Sequence, residues 1–193
     1  MNNTVPVEIS ARHVHLSEKD ARTIFGDDVT LTPTPGWEGK VQYAAIERLA
    51  MQGPKGSFPR VAIMLPLYKE FTQIEISLTD ARTLGIEVPI RNSRQIAGSP
   101  GVKIIGPKGE VDLTEGVIAA RRHVHVSDVW AEERGLSKDD MVKLEINSEE
   151  RKLVFGDVAL RIEKGLDHSV VHIDVDEANA AGVTGICEGT VIF

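Results

Sequence analysis

Cysteine is nearly absent from this chain: Cys187 is the only one in 193 residues. A disulfide framework and any Cys-rich zinc or iron–sulfur site are thereby excluded, which fits a reducing compartment. Aromatic residues make up only 5% of the chain, and no apolar run reaches the roughly 18 residues that a membrane span needs. The first residues, Met1 to Val7, lack the basic and apolar regions of a signal peptide, so a cytoplasmic protein is expected. Basic residues are in deficit, 22 against 29 acidic ones, for a formal charge of −7. That is the wrong sign for gripping a phosphate backbone, so nucleic acid is not the expected partner. Local cations or metals can still bind a small anion.

What the chain does contain is globular, with 41% hydrophobic and 26% charged residues. Runs rich in Val and Ile with period-two alternation recur at Val5–Ser10, Val61–Leu65, Thr72–Ser77, Val102–Ile105, Met141–Ile146, Val158–Ile162 and Val170–Val175. Gly-Pro-Lys-Gly occurs twice, at 53–56 and 106–109, as a turn joining two strands would. Short helices are predicted where a capping residue opens and a glycine closes a segment: Ser17–Gly26, Thr79–Gly85, Ser127–Gly135 and Asp176–Gly182. The proline- and glycine-rich stretch Thr32–Lys40 reads as an excursion, a loop or small hairpin, near residues 27–46.

An internal repeat organises these pieces. Arg12-His13-Val14-His15-Leu16-Ser17 returns as Arg122-His123-Val124-His125-Val126-Ser127, and Glu75-Ile76-Ser77 has a fainter echo in His172-Ile173-Asp174. Two copies point to two related β domains facing a shared cleft. His-x-His on a strand sends both imidazoles to one face, where they can hold one metal ion. A single such pair reads as surface or packing histidines; four of the six histidines concentrated in two matched hexapeptides do not. Each half then offers three ligands: His13, His15 and Glu75 in one, His123, His125 and His172 in the other. Three protein ligands with an open position is the catalytic arrangement for zinc. His168 has no counterpart and reads as a loop residue; Cys187 reads as an inert thiol; Trp37 and Trp130 read as packing anchors. Arg12 and Arg122 have two readings, phosphate neutralisation or a salt bridge at a strand end.

Over nearly its whole length the chain resembles the phosphate propanoyltransferases of propanediol utilisation, a phosphotransacylase family. The likeness rests on Val5–Ser17, Thr72–Ser77, Gly106–Gly109, Ala120–His125 and His172–Gly182. It implies a mainly β fold: two β-barrels capped by short α-helices, the active site at their interface, and the first strand given to the C-terminal barrel. The domains expected are 1–12 with 121–193, and 13–120. It further implies two divalent metal ions, zinc being the usual one, held by the same six ligands, with coenzyme A (CoA), acyl-CoA, phosphate and acyl phosphate as substrates. In the family an arginine six positions before the glutamate helps to hold phosphate, assisted by residues matching Gln73 and Ser93. Here position 69 is Lys, followed by Glu70 and Phe71 where members read Arg-Lys-Gln; Arg94, where glycine is common, is the candidate replacement.

The expected reaction is direct acyl transfer between CoA and phosphate, with Lys69, Gln73, Ser93 and Arg94 in the catalytic set and propanoyl or acetyl as the acyl group. Rival readings are a two-metal hydrolase of phosphoesters or acyl phosphates and an inactive metal-dependent binding module. Members packaged in microcompartments carry an amphipathic N-terminal extension; here the first strand starts within a few residues of Met1, so a free cytoplasmic enzyme, possible as a homo-oligomer and without nucleic-acid or membrane partners, is expected.

Overall fold

The computed structural model describes residues 3–36, 38 and 42–193. Strands account for 43% of the chain and helices for 14%. Two compact units emerge, one formed by Met1–Ala11 with Arg121–Phe193 and the other by Arg12–Ala120. The chain opens with β1 (Thr4–Ser10) in the first unit. It then builds the second from β2 (His13–His15), α1 (Glu18–Phe25), β3 (Tyr43–Gln52), β4 (Ser57–Leu65), β5 (Gln73–Glu75), α2 (Leu78–Leu84), β6 (Ile90–Arg91), β7 (Lys103–Ile105), β8 (Glu110–Asp112) and β9 (Val117–Ala120). The first unit is completed by β10 (His123–Ser127), α3 (Asp128–Glu132), β11 (Met141–Ile146), β12 (Leu153–Glu163), β13 (Val170–Asp174), α4 (Val175–Ala181) and β14 (Cys187–Ile192). No helix among the described residues is long and apolar enough to cross a membrane.

The first unit is a closed barrel in the order β1-β13-β10-β12-β11-β14, sealed where β1 runs antiparallel to β14 from Thr4↔Thr190 to Val7↔Cys187. Val5, Val7, Val124, Val126, Leu144, Ile146, Leu160, Val171 and Ile173 fill it. Period-two alternation does the sorting: with Val124 and Val126 turned into the core, His123 and His125 must face out. Burying each such aliphatic side chain contributes about 1.5–3 kcal/mol.

The second unit is an eight-stranded sheet, β6-β9-β5-β2-β4-β3-β7-β8, around Val14, Leu49, Ile63, Ile74 and Ile104. Its pairings repeat those of the barrel: β2 lies parallel to β4 and antiparallel to β5, as β10 lies parallel to β12 and antiparallel to β13. Among the described residues it does not close through a ladder of the β1–β14 kind. At the corresponding edge Val117 N–H donates to the Pro100 carbonyl at 3.0 Å, and Pro100 has no N–H to answer with.

The helices lie where the sequence places them, with local corrections. Ser17 caps α1 and Ser127 caps α3, as expected. α2 and α4, however, are capped by Ser77 and Asp174, not by Thr79 and Asp176. Ser77 Oγ accepts from Asp80 N–H, and the Asp174 carboxylate accepts from Glu177 N–H while Glu177 reaches back to Asp174 N–H. The cap is therefore the last strand residue itself in α4 and lies two residues past the strand in α2, leaving Thr79 and Asp176 inside the first turn. Helix α3 ends at Glu132 with Glu133 as its C-cap, before the expected Gly135.

Both Gly-Pro-Lys-Gly segments are hairpin turns, joining β3 to β4 and β7 to β8. Each also closes a helix: Lys55 N–H donates to Leu84 C=O and Lys108 N–H to Ile24 C=O, both at 2.9 Å. This close approach explains the glycines, since a Cβ on Gly53 would lie 2.4 Å from the Leu84 carbonyl oxygen and one on Gly106 1.9 Å from Ile24 Cγ2. The excursion is shorter than 27–46, because Tyr43–Ile46 already belong to β3, which pairs back through Thr34 N–H to Ala44 C=O and Ile46 N–H to Thr32 C=O. Trp37 lies outside the described residues.

Candidate metal centres

In the unit 12–120, strands β2 and β5 face each other with His13 opposite Glu75 and His15 opposite Gln73. Val14 and Ile74, between them, point into the core, so all four polar side chains share the other face. His13 Nε2 lies 3.2 Å from His15 Nε2 and 3.4 Å from Glu75 Oε2. His13, His15 and Glu75 are all buried, as is Gln73.

Gln73 holds this cluster from behind. Its Nε2 donates to Glu75 Oε1 and to Ser93 Oγ, each at 2.7 Å, and its Oε1 accepts from the Arg94 backbone N–H. Arg94 takes φ 75°, the left-handed conformation that favours glycine. Its guanidinium lies over the Tyr68 ring, 4.7 Å from the centroid, and Tyr68 in turn stacks on His15 with centroids 4.7 Å apart and planes 12° from parallel. Gln73, Ser93 and Arg94 thus gather around the first cluster. Lys69 sits exposed beyond β4.

In the barrel unit, β10 and β13 place His123 opposite His172. His172 Nδ1 lies 3.3 Å from His123 Nε2. The other nitrogens are engaged: His123 Nδ1 with the Arg121 carbonyl at 2.9 Å, His172 Nε2 with Glu8 Oε2 at 3.3 Å, and His125 Nδ1 with Glu163 Oε1. Burial, with the Arg161 guanidinium adding to it, holds His123 well below the usual histidine range. His172 is lowered too, by burial first and then by His125, against the pull of Glu8. Both shifts favour the neutral imidazole, the form that ligates a metal.

Within each triad the donor atoms lie no more than 4.8 Å from one another. Zinc bonded to four ligands at 2.0–2.1 Å sets them roughly 3.3 Å apart along the edges of a tetrahedron. The closest contacts, 3.2 and 3.4 Å in one cluster and 3.3 Å in the other, match that edge. Nitrogen and carboxylate donors of this kind suit zinc and other first-row divalent ions.

Arg12 and Arg122 are salt-bridge partners. Arg12 forms a two-point pair with Asp80, at 2.8 and 3.0 Å, and stacks on Phe58; Arg122 pairs with Glu177 at 2.6 Å. Asp80 and Glu177 occupy equivalent places in the repeat, so the pairing is duplicated as well. His168 is exposed against Asp167, and Trp130 packs on Phe193 and under Arg134. Glu8, Tyr68 and Glu163 escape the sequence reading, because only strand register brings them to the histidines.

Duplicated β units, one presenting three imidazoles and the other two imidazoles and a carboxylate, define the class: a β-barrel protein with two donor sets that could each hold a metal ion. The family follows from comparison with known proteins. The phosphate propanoyltransferase family model matches residues 6–184. The phosphate propanoyltransferase of Thermotoga maritima is 44% identical over 175 residues, spanning 91% of this chain and 82% of its own. That of Shewanella putrefaciens is 43% identical over 183 residues (94% and 85%), and that of Listeria monocytogenes 40% over 188 (97% and 87%). The chain belongs to the phosphate propanoyltransferase family and is an acyltransferase.

Proposed function

We propose that this enzyme interconverts propanoyl-CoA plus phosphate with propanoyl phosphate plus CoA, using one divalent ion, expected to be zinc, in each triad. The observation that carries the reading is the pair of donor clusters with tetrahedral-edge spacing in a chain of this family. When bound, the two ions supply Lewis acidity that favours the CoA thiolate and neutralises phosphate and the developing oxyanion. The side chains do the rest. Gln73 commits both amide hydrogens, to Glu75 and Ser93, so it orients a ligand and does not itself grip phosphate. Ser93 accepts from Gln73 and keeps its hydroxyl proton for an anionic oxygen. Among the described residues the Arg94 guanidinium engages Tyr68 through its face, which leaves the N–H edge to receive phosphate in the role the family gives to an arginine at position 69. Lys69, next in the chain to Tyr68, adds a positive charge to that segment.

A phosphate oxygen attacks the thioester carbon, a C–O bond forms, the C–S bond breaks, and the sulfur leaves with its electron pair. No protein nucleophile takes part; the only thiol, Cys187, lies half-buried on β14 with its pKa raised by burial. Acetyl-CoA, one methylene shorter, is a second substrate, separated from propanoyl-CoA by about 10- to 200-fold. The reaction is assigned to the cytoplasm, in keeping with a single cysteine.

The test is thiol release from propanoyl-CoA with and without phosphate, alongside metal analysis. Release that requires phosphate, from protein carrying two metal equivalents, supports the proposal. Release without phosphate makes the protein a hydrolase, and ligand binding without turnover makes it a binding module.

A further inference from the structure

Between β6 and β7 the chain makes two turns of one kind in succession. In the first, Gln95 N–H donates to the Asn92 carbonyl at 3.1 Å; in the second, Ser99 N–H donates to the Ile96 carbonyl at 2.9 Å. Their third residues, Arg94 and Gly98, have φ 75° and 70°, as type II turns require. Glycine takes that conformation at no steric cost, whereas a residue with a Cβ is strained there and needs surroundings that hold it. The second turn has the glycine; the first has an arginine.

The two turns are tied down at three places. Arg91, the last residue of β6 and paired with Ala120 of β9, donates from Nη1 to the Ala97 carbonyl at 2.6 Å and to the Gln95 carbonyl at 3.3 Å, which links the first turn to the second. Gln73 Oε1 accepts from Arg94 N–H and Gln73 Nε2 donates to Ser93 Oγ, beside the first donor cluster. Glu115 Oε2 accepts from Gly98 N–H and Ser99 Oγ from Gly116 N–H, each at 3.0 Å, at the far end. Gln73 holds the strained residue by its backbone. The bridge from Arg91 closes the loop beyond it and so sets the direction in which the Arg94 side chain leaves the turn, over Tyr68 and toward His15.

We propose that Arg91 is a positioning residue for the phosphate-binding turn, holding the loop 92–98 closed so that Arg94 keeps its left-handed conformation and its guanidinium stays over Tyr68. A side chain spent on main-chain carbonyls fixes geometry without touching substrate, and a displacement on the order of 1 Å at a binding group can cost about a hundredfold. The inference rests on the reading that Arg94 receives phosphate.

The experiment takes the full-length, metal-loaded enzyme as wild type, Arg91→Met, Arg91→Lys, Arg94→Gly and the double variant Arg91→Met with Arg94→Gly, and measures initial rates against phosphate and against propanoyl-CoA. Circular dichroism checks that each variant folds. Arg94→Gly should raise the KM for phosphate about 10- to 100-fold, the scale of one charge-assisted hydrogen bond to an anion. Arg91→Met should raise it about 5- to 10-fold, with kcat at saturating phosphate and the KM for propanoyl-CoA within about twofold of wild type. Arg91→Lys, whose ammonium can still donate to both carbonyls, should recover most of that loss. In the Arg94→Gly background no guanidinium is left to place, so Arg91→Met should add less than about twofold. Arg91→Met that leaves the KM for phosphate unmoved while Arg94→Gly raises it overturns this inference alone. So does an effect of equal size in both backgrounds, or a loss shared equally by phosphate and propanoyl-CoA, as general loosening of the fold would give. Arg94→Gly that leaves the KM for phosphate unchanged overturns the reading of Arg94 and this inference with it.

Discussion

In the unit 12–120, the triad carries its own carboxylate, Glu75, and the groups behind it are an amide, a phenol ring and a guanidinium: Gln73, Tyr68 and Arg94. In the barrel unit the triad is three imidazoles and the carboxylates hydrogen-bonded to it are Glu8 and Glu163. Around the histidines the strand plan is the same in both: the histidine-bearing strand lies between a parallel and an antiparallel neighbour. The difference teaches that duplication conserves what sets donor geometry, the period-two face and the cross-strand register, and leaves the electronics to residues one layer back. A carboxylate ligand lowers the net charge of its centre directly; a carboxylate behind an imidazole does so through a hydrogen bond, leaving a more electrophilic first layer.

The comparison breaks most visibly if one triad is dispensable. His15→Ala and His125→Ala should each lower kcat by at least about a thousandfold, the scale of losing several kcal/mol of charge stabilisation. Each should also lose one of two metal equivalents by elemental analysis; a variant that keeps its activity would show that its triad is not part of the reaction.

Stripping both metals is the next largest effect expected. At free zinc about 1,000 times Kd, each site stabilises the native state by about 4 kcal/mol, about 8 kcal/mol for the two, so chelation should lower Tm by about 20 °C in differential scanning calorimetry, reversed by added zinc. Two separable steps on titrating chelator would sharpen the contrast between the centres; a single step would blunt it.

Gln73→Ala tests the neutral support of the first centre. It removes the Gln73 bonds to Glu75, Ser93 and the Arg94 N–H at once, and should weaken zinc there about 10- to 100-fold and raise the KM for phosphate, with the three-histidine equivalent unmoved. Chelator competition and initial rates read the two effects separately.

The smallest effects belong to the duplicated ion pairs. Arg12→Ala leaves Asp80 buried and unpaired, and should cost about 1–3 kcal/mol in urea unfolding; Arg122→Ala, which leaves the more accessible Glu177, should cost about half as much. The KM for phosphate should stay put in both, as salt-bridge partners require.

Much of this was legible before any fold was known. His13-Val14-His15 and His123-Val124-His125 declare a shared face from spacing alone, and the match of Glu75 to His172 adds the third member of each triad. The histidine strands, the α1 and α3 caps, and both Gly-Pro-Lys-Gly turns could likewise be read locally. The α2 and α4 caps could not, because Ser77 and Asp174 look like strand residues until the chain is seen to turn there.

By itself the sequence determined which side chains could donate to a metal and which of them share a strand face, since that depends only on residue type and a period of two. Tertiary structure alone decided what stands beside them. Glu8 and His172 are 164 positions apart and His125 and Glu163 are 38 apart. Strand pairing joins them, and a strand's register depends on the burial pattern and turns of its partner, which no local spacing in the strand itself records.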